Sequence, residues 1–147
     1  MFKRIVLLLV PIAAAMAAAA QAQELPYKEG PVVDVTPIRV ADGKFFDYWS
    51  FLETHWRPTM EEAKKEGVIL SYSVLAATPR TPQEANLILV VTYPNFASLD
   101  TIDAKMNAIE QKLFGNSPQK SEQQSGARGP IRTVLGDEIY RELQFKK

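Results

Sequence analysis

Residues 86–93, NLILVVTY, constrain the fold more than any other part of the chain. The segment is short and rich in β-branched residues, which is the pattern of a strand. It is apolar on both parities: Leu87, Leu89 and Val91 point one way, Ile88 and Val90 the other. A strand of this kind has to be covered on both faces. Any sheet that holds it therefore needs a layer on each side.

The rest of the chain supplies one layer. Residues 32–40, VVDVTPIRV, read as a strand, with Pro37 marking an edge or a bulge because it has no N–H to give to a ladder. Residues 68–76, VILSYSVLA, read as a second strand, joined to residues 86–93 by a proline-marked loop, so the two predict an antiparallel pair. Between the first two strands, residues 44–66 carry Phe45, Trp49, Leu52, Trp56, Met60 and Ala63 at steps of three and four. At helical geometry these fall in a sector of about 80°, one buried stripe. Asp42 is placed to cap this helix, Pro58 to kink or restart it, and Gly67 to stop it. Residues 97–114 predict a second helix through Leu99, Ile102, Met106, Ile109 and Leu113, ended by Gly115. Residues 116–130 are rich in Gln, Ser and Gly and predict a long flexible loop. Residues 138–145 alternate and predict a last strand.

The predicted order is βαββαβ. Two helices on one face of a four-stranded antiparallel sheet make an α+β, ferredoxin-like domain. Two helices cannot cover both faces. The second layer is then expected from another copy of the chain, in a two-fold homodimer that joins sheet faces. Each apolar side chain buried there would contribute about 1.5–3 kcal/mol.

The amino terminus reads as an address. Lys3 and Arg4 precede an apolar run, and Ala20-Gln21-Ala22 ends it, so residues 1–22 predict a signal peptide cleaved after Ala22. The expected location is periplasmic or secreted, with no membrane attachment after cleavage. Residues 23–147 then form one domain. Without Lys3 and Arg4 the chain has 15 basic and 17 acidic residues and no basic run, which argues against nucleic acid as a partner. There is no cysteine, which excludes disulfides, thiolate metal sites and cysteine nucleophiles. One histidine and no clustered carboxylate motif give no metal pattern, and no cofactor is expected. A single histidine could ligate haem axially, but nothing else in the sequence points to haem.

The candidate chemistry lies in FFDYWSFLETHW, residues 45–56, which holds six of the fourteen aromatic residues, both tryptophans and the only histidine. Tyr48 and His55 recur at a seven-residue step along the border of the buried stripe, with Phe51 just beyond. One reading lines a pocket with them, His55 acting as general base or acid because histidine titrates near neutral pH. The other makes them boundary residues, apolar in body and wet at the tip. Glu62 is about two turns from His55 and too far to orient it. Tyr72 is expected under a helix, its hydroxyl toward a ligand.

Element order resembles the dimeric α+β barrel superfamily. The run Phe45-Phe46-Asp47-Tyr48-Trp49, followed by His55 and Pro58, is similar to the aromatic, Tyr-Trp, His, Pro pattern of its EthD-like and NIPSNAP-like members. Here the histidine stands about two residues further from the Tyr-Trp pair, a turn of about 200° on a helix. The superfamily includes cofactor-independent oxygenases, lactone isomerases, haem-handling enzymes and proteins without known activity. The resemblance implies a homodimer that binds a small apolar or aromatic compound. The residues' own pattern, rather than a transferred family role, makes the expected chemistry proton transfer in an oxygenation or isomerisation, with His55 catalytic and Tyr48, Phe51 and Tyr72 holding the ligand. The alternative is a non-enzymatic module with a filled core.

Overall fold

A computed structural model describes residues 24–147. The expected signal peptide lies outside the described residues. Among those residues no helix is long and apolar enough to cross a membrane.

The fold is α+β, with one antiparallel sheet and a helical layer, in the ferredoxin-like order. The strands are β1 (Tyr27–Val40), β2 (Ser71–Ala76), β3 (Leu87–Tyr93), β4 (Arg132–Val134) and β5 (Glu138–Phe145). The sheet runs β2-β3-β1-β4, and β5 also pairs with β1. β3 occupies one side of β1, so β4 and β5 share the other and act as two halves of one interrupted strand. The interruption at Leu135, Gly136 and Asp137 explains Pro37. β1 is central in the sheet, not an edge. Its Pro37 carbonyl accepts from the Leu135 N–H at 2.9 Å. In an antiparallel strand the missing Pro37 N–H points the same way, into the break.

Helices α1 (Phe45–Phe51) and α2 (Arg57–Lys65) are joined without a gap by a π turn, Leu52–Trp56. The Arg57 N–H reaches back five residues to the Leu52 carbonyl. This wider turn precedes Pro58, whose ring would otherwise collide with a carbonyl four residues back. The extra residue has a cost to sequence reading. It displaces the face of α1 by about 100° relative to α2. The buried side is Tyr48 and Leu52, then Thr59, Met60 and Ala63. Phe45 (49 % exposed) and Trp49 (38 %) were expected in the core and instead stack on each other outside it, centroids 5.8 Å apart. Tyr48, expected at the border, is 2 % exposed.

After β3 a 3-10 turn, Phe96–Thr101, leads into α3 (Ile102–Phe114), which ends at Gly115 with φ 63°. The expected loop over residues 116–130 instead contains α4 (Pro118–Ala127), whose Ser117 hydroxyl accepts from the Lys120 N–H. Ser117-Pro118 is a start signal, an N-cap followed by proline in the first turn. The helix lacks an apolar stripe, so periodicity does not reveal it.

The core divides into two clusters, one around Val32, Met60, Ala63, Tyr93 and Ile109, the other around Ile38, Val40, Tyr48, Leu52 and Leu87. Trp56 packs against both. Leu87, Leu89 and Tyr93 of β3 are buried under the helices. The register places Ile88 and Val90 opposite Pro37 and Val35 on β1 and Leu75 and Ser73 on β2. That second face carries no helix in the single chain, and Leu75 and Tyr140 on it are about half exposed.

Candidate functional site

His55 sits within the π turn, and its surroundings come from three separate helices. Its Nε2 is 3.0 Å from Glu110 Oε2 on α3. Its ring lies between Phe51 (centroids 5.5 Å) and Phe114 (4.1 Å), nearly parallel to both. Within a π turn each residue advances by less than the 100° of a regular helix, so a constant step does not locate His55, which faces α3 here.

Glu110 is held from several sides. Asn116 Nδ2 donates to its Oε2 at 3.2 Å, and the Thr59 hydroxyl lies 3.1 Å from its Oε1. That hydroxyl is also 2.9 Å from the His55 carbonyl, so its one proton serves one acceptor at a time. Asn116 is itself buried and gives its second amide hydrogen to Gln124 on α4 at 3.1 Å. A carboxylate accepting from Nε2–H fixes the neutral imidazole as the Nε2-protonated tautomer. Nδ1 then carries the free lone pair and has no protein partner among the described residues.

The pair borders a cavity of about 240 Å³. Phe51, Trp56, Met60 and Met106 give it an apolar wall, and Ser121, Gln124 and Arg128 of the α4 region close it. The Arg128 guanidinium lies 3.9 Å over the Phe51 ring. Burial, then the neighbouring Arg132, lower the Arg128 pKa, and arginine stays charged under any such shift. A broader groove of about 500 Å³ lies along Glu122, Ser125, Arg132 and Thr133. It is more open than the His55 cavity and has no paired acid and base.

The other expected site residues distribute unevenly. Phe51 lines the cavity with His55. Tyr48 stacks on Phe51 at 5.8 Å but belongs to the core. Burial pushes its hydroxyl pKa up, with Arg132 and Arg128 pulling it down. Tyr72 is elsewhere. It packs edge-on against Trp56 at 5.3 Å, as expected for a residue under the helix, but its hydroxyl donates to Glu61. It borders a separate cleft of about 100 Å³ with Trp49 and Val74, and the structure does not bring it to His55. Glu110, Arg128 and Asn116 were not expected from sequence. For Arg128 no local pattern signals a site. For Glu110, the i+4 and i+7 spacing from Met106 and Asp103 shows only that it borders the buried stripe of α3. Among the described residues no group of three or more His, Cys, Asp or Glu side chains could hold a metal ion.

Fold and cavity together define an α+β protein of ferredoxin-like build, with a small cleft between its helices that carries a His–Glu pair. No protein-family model and no curated protein matches the sequence. Among solved structures the chain is similar to HapK from Hahella chejuensis, at 11% identity and TM-score 0.52, over 79% of this chain and 96% of that one. It is also similar to a protein from Shewanella oneidensis (16% identity, TM-score 0.49, 80% and 98% covered). A third is a dimeric ferredoxin-like protein from an uncultured marine organism (13% identity, TM-score 0.46, 82% and 99% covered). At these identities the likeness is one of fold.

Proposed function

We propose that the protein binds a small apolar or aromatic molecule in the His55 cavity and moves a proton on it without a cofactor, as in an isomerisation or oxygenation. The observation that carries this reading is the 3.0 Å contact between His55 Nε2 and Glu110 Oε2 on the cavity wall. A base held in one tautomer by a carboxylate is the arrangement general acid–base catalysis needs. Glu110 is a positioning residue here, and Asn116 and Thr59 hold Glu110 in turn.

The chain has one histidine, so its imidazole nitrogens can be followed by NMR without assignment. The expected spectrum near neutral pH shows the Nε2–H tautomer for the neutral ring, and His55→Gln changes the set of compounds bound in a metabolite screen. An Nδ1–H tautomer, or an unchanged binding profile in the variant, removes the histidine from the function. The second reading is a homodimeric module that binds or assembles without catalysis. It is favoured by the cavity size, since about 240 Å³ is below the ~300–1,000 Å³ of ligand pockets for drug-sized molecules. Under it, His55→Gln has no effect on any bound compound.

The working form is a homodimer closed through the uncovered sheet face, with Ile88 and Val90 inside the joint. The protein is exported to the periplasm or the exterior by residues 1–22. Protein recovered from its native host outside the cytoplasm is expected to begin at Gln23, as intact-mass measurement would read. A chain that retains Met1 there would remove the export reading.

A further inference from the structure

We infer that α4 is a lid over the His55 cavity, and that Gln124 is the positioning residue through which its closure is felt at the His55–Glu110 pair. This deepens the reading of the cavity as a proton-transfer site and rests on it.

The helix covers the cavity without belonging to the core. Ser121 and Gln124 of α4, and Arg128 just after it, line the cavity, whereas Met60 and Met106 in the other walls come from α2 and α3. No residue of α4 is buried, and none joins either hydrophobic cluster. Its sequence, PQKSEQQSGA, has no apolar stripe to hold it down. Its ties to the body are polar. Asn116 Nδ2 donates to Gln124 Oε1 at 3.1 Å, Arg132 Nη2 donates to Ser125 Oγ at 3.0 Å, and the Arg128 guanidinium rests 3.9 Å over Phe51. A segment with few buried apolar contacts opens at a lower free energy than the domain as a whole. The seated form also leaves Ser121 Oγ and Arg128 Nε buried with no hydrogen-bond partner among the described residues. Unpaired buried polar atoms destabilise the arrangement that buries them, and lifting the segment into water relieves both. The seat is weak, as a cover that admits and releases a ligand has to be.

The coupling runs through one nitrogen. Asn116 Nδ2 carries two hydrogens. One goes to Gln124 Oε1 on the lid, the other to Glu110 Oε2, the oxygen that also meets His55 Nε2. With Gln124 seated, the amide plane is fixed from the lid side and its other hydrogen is aimed at Glu110. When α4 lifts, that plane is released and Glu110 is held less firmly against His55. The pair is thus complete when the cavity is shut and loosened when it is open, which confines proton transfer to the covered site.

The test uses the protein from Gln23 onward, without ligand. Amide hydrogen exchange read by mass spectrometry should show α4 exchanging at least about 100-fold faster than α3 and β3. Gln124→Leu should raise α4 exchange by a further ~5–10-fold, the contribution of one hydrogen bond, and leave α3 within about twofold. In the same variant the His55 imidazole nitrogens, followed by NMR, should lose about threefold of their preference for the Nε2–H tautomer. Gln124→Glu keeps an acceptor for Asn116 and should restore both readings, which a purely structural role would not require. Exchange in α4 as slow as in α3, either reading unmoved in Gln124→Leu, or Gln124→Glu behaving like the leucine variant overturns the inference. An unchanged binding profile in His55→Gln would remove proton transfer from the site and leave these readings as they are, so the two proposals fail separately.

Discussion

Glu110→Ala is expected to destabilise the domain by about 3 kcal/mol, a fall in melting temperature of roughly 10 °C for a chain of this size. The side chain is only 15 % exposed and accepts from His55 Nε2–H and Asn116 Nδ2. Truncation leaves both donors without a partner in a partly buried site, and each such orphan costs about 1–3 kcal/mol. The Thr59 hydroxyl adds little to the loss, because it can keep its bond to the His55 carbonyl. Glu110→Gln should cost less, about 1 kcal/mol, since its amide oxygen can take the place of Oε2 before both donors while its nitrogen donates to the Thr59 hydroxyl, and what is lost is the charge assistance. Urea unfolding of the three proteins checks this, and a Glu110→Ala value within 0.5 kcal/mol of wild type, an ordinary surface effect, would sink the account of the site. The same variant should lose the Nε2–H preference of His55, which separates a positioning role from a purely structural one.

The second large effect concerns assembly. On the proposed dimer, Val90→Glu should convert the protein from dimer to monomer at micromolar concentration while leaving its far-ultraviolet circular dichroism unchanged. Val90 pairs with Val35 and Ser73 on the face that carries no helix, whereas Leu87 and Leu89, on the other parity, hold the core. A two-fold interface receives the substitution twice, and two carboxylates would be desolvated without partners. Association is expected to weaken by about 1,000-fold or more, equivalent to roughly 4 kcal/mol. Sedimentation velocity reads the result directly. A wild-type chain that is already monomeric, or a variant that remains dimeric, would mean that the face is covered in another way or not at all.

Much of the fold was legible because strand and helix patterns are local. The two-sided apolar character of residues 86–93 follows from the two-residue period of a strand and needs no knowledge of the partners. It separated Leu87 and Leu89 from Ile88 and Val90 without saying which pair the helices cover; the structure puts Leu87 and Leu89 in the core. The antiparallel pairing of β2 with β3 and the bounds of β5 were read the same way. The α1 stripe was misread by one residue for a definite reason. A constant 100° step assumes unbroken helix, and the π turn at Leu52–Trp56 breaks it. Pro58 marked the disturbance without saying that one residue would be inserted. Helix α4 was missed because a polar helix has no period to detect, although Ser117-Pro118 announced its start.

The sequence by itself determined the α+β order, the two-sided apolar character of residues 86–93, the absence of cysteine chemistry and the aromatic segment around His55. These depend on spacing within one element or on composition, which the backbone repeat translates into direction. It could not supply the partner of that histidine. His55 and Glu110 are 55 residues apart, and Arg128 is further still. Whether they meet depends on how α2, α3 and α4 pack, and on the π turn in which His55 sits. Helix packing is set by the whole set of buried contacts, not by any window of the chain. Only the tertiary structure could turn a lone histidine into one half of a pair.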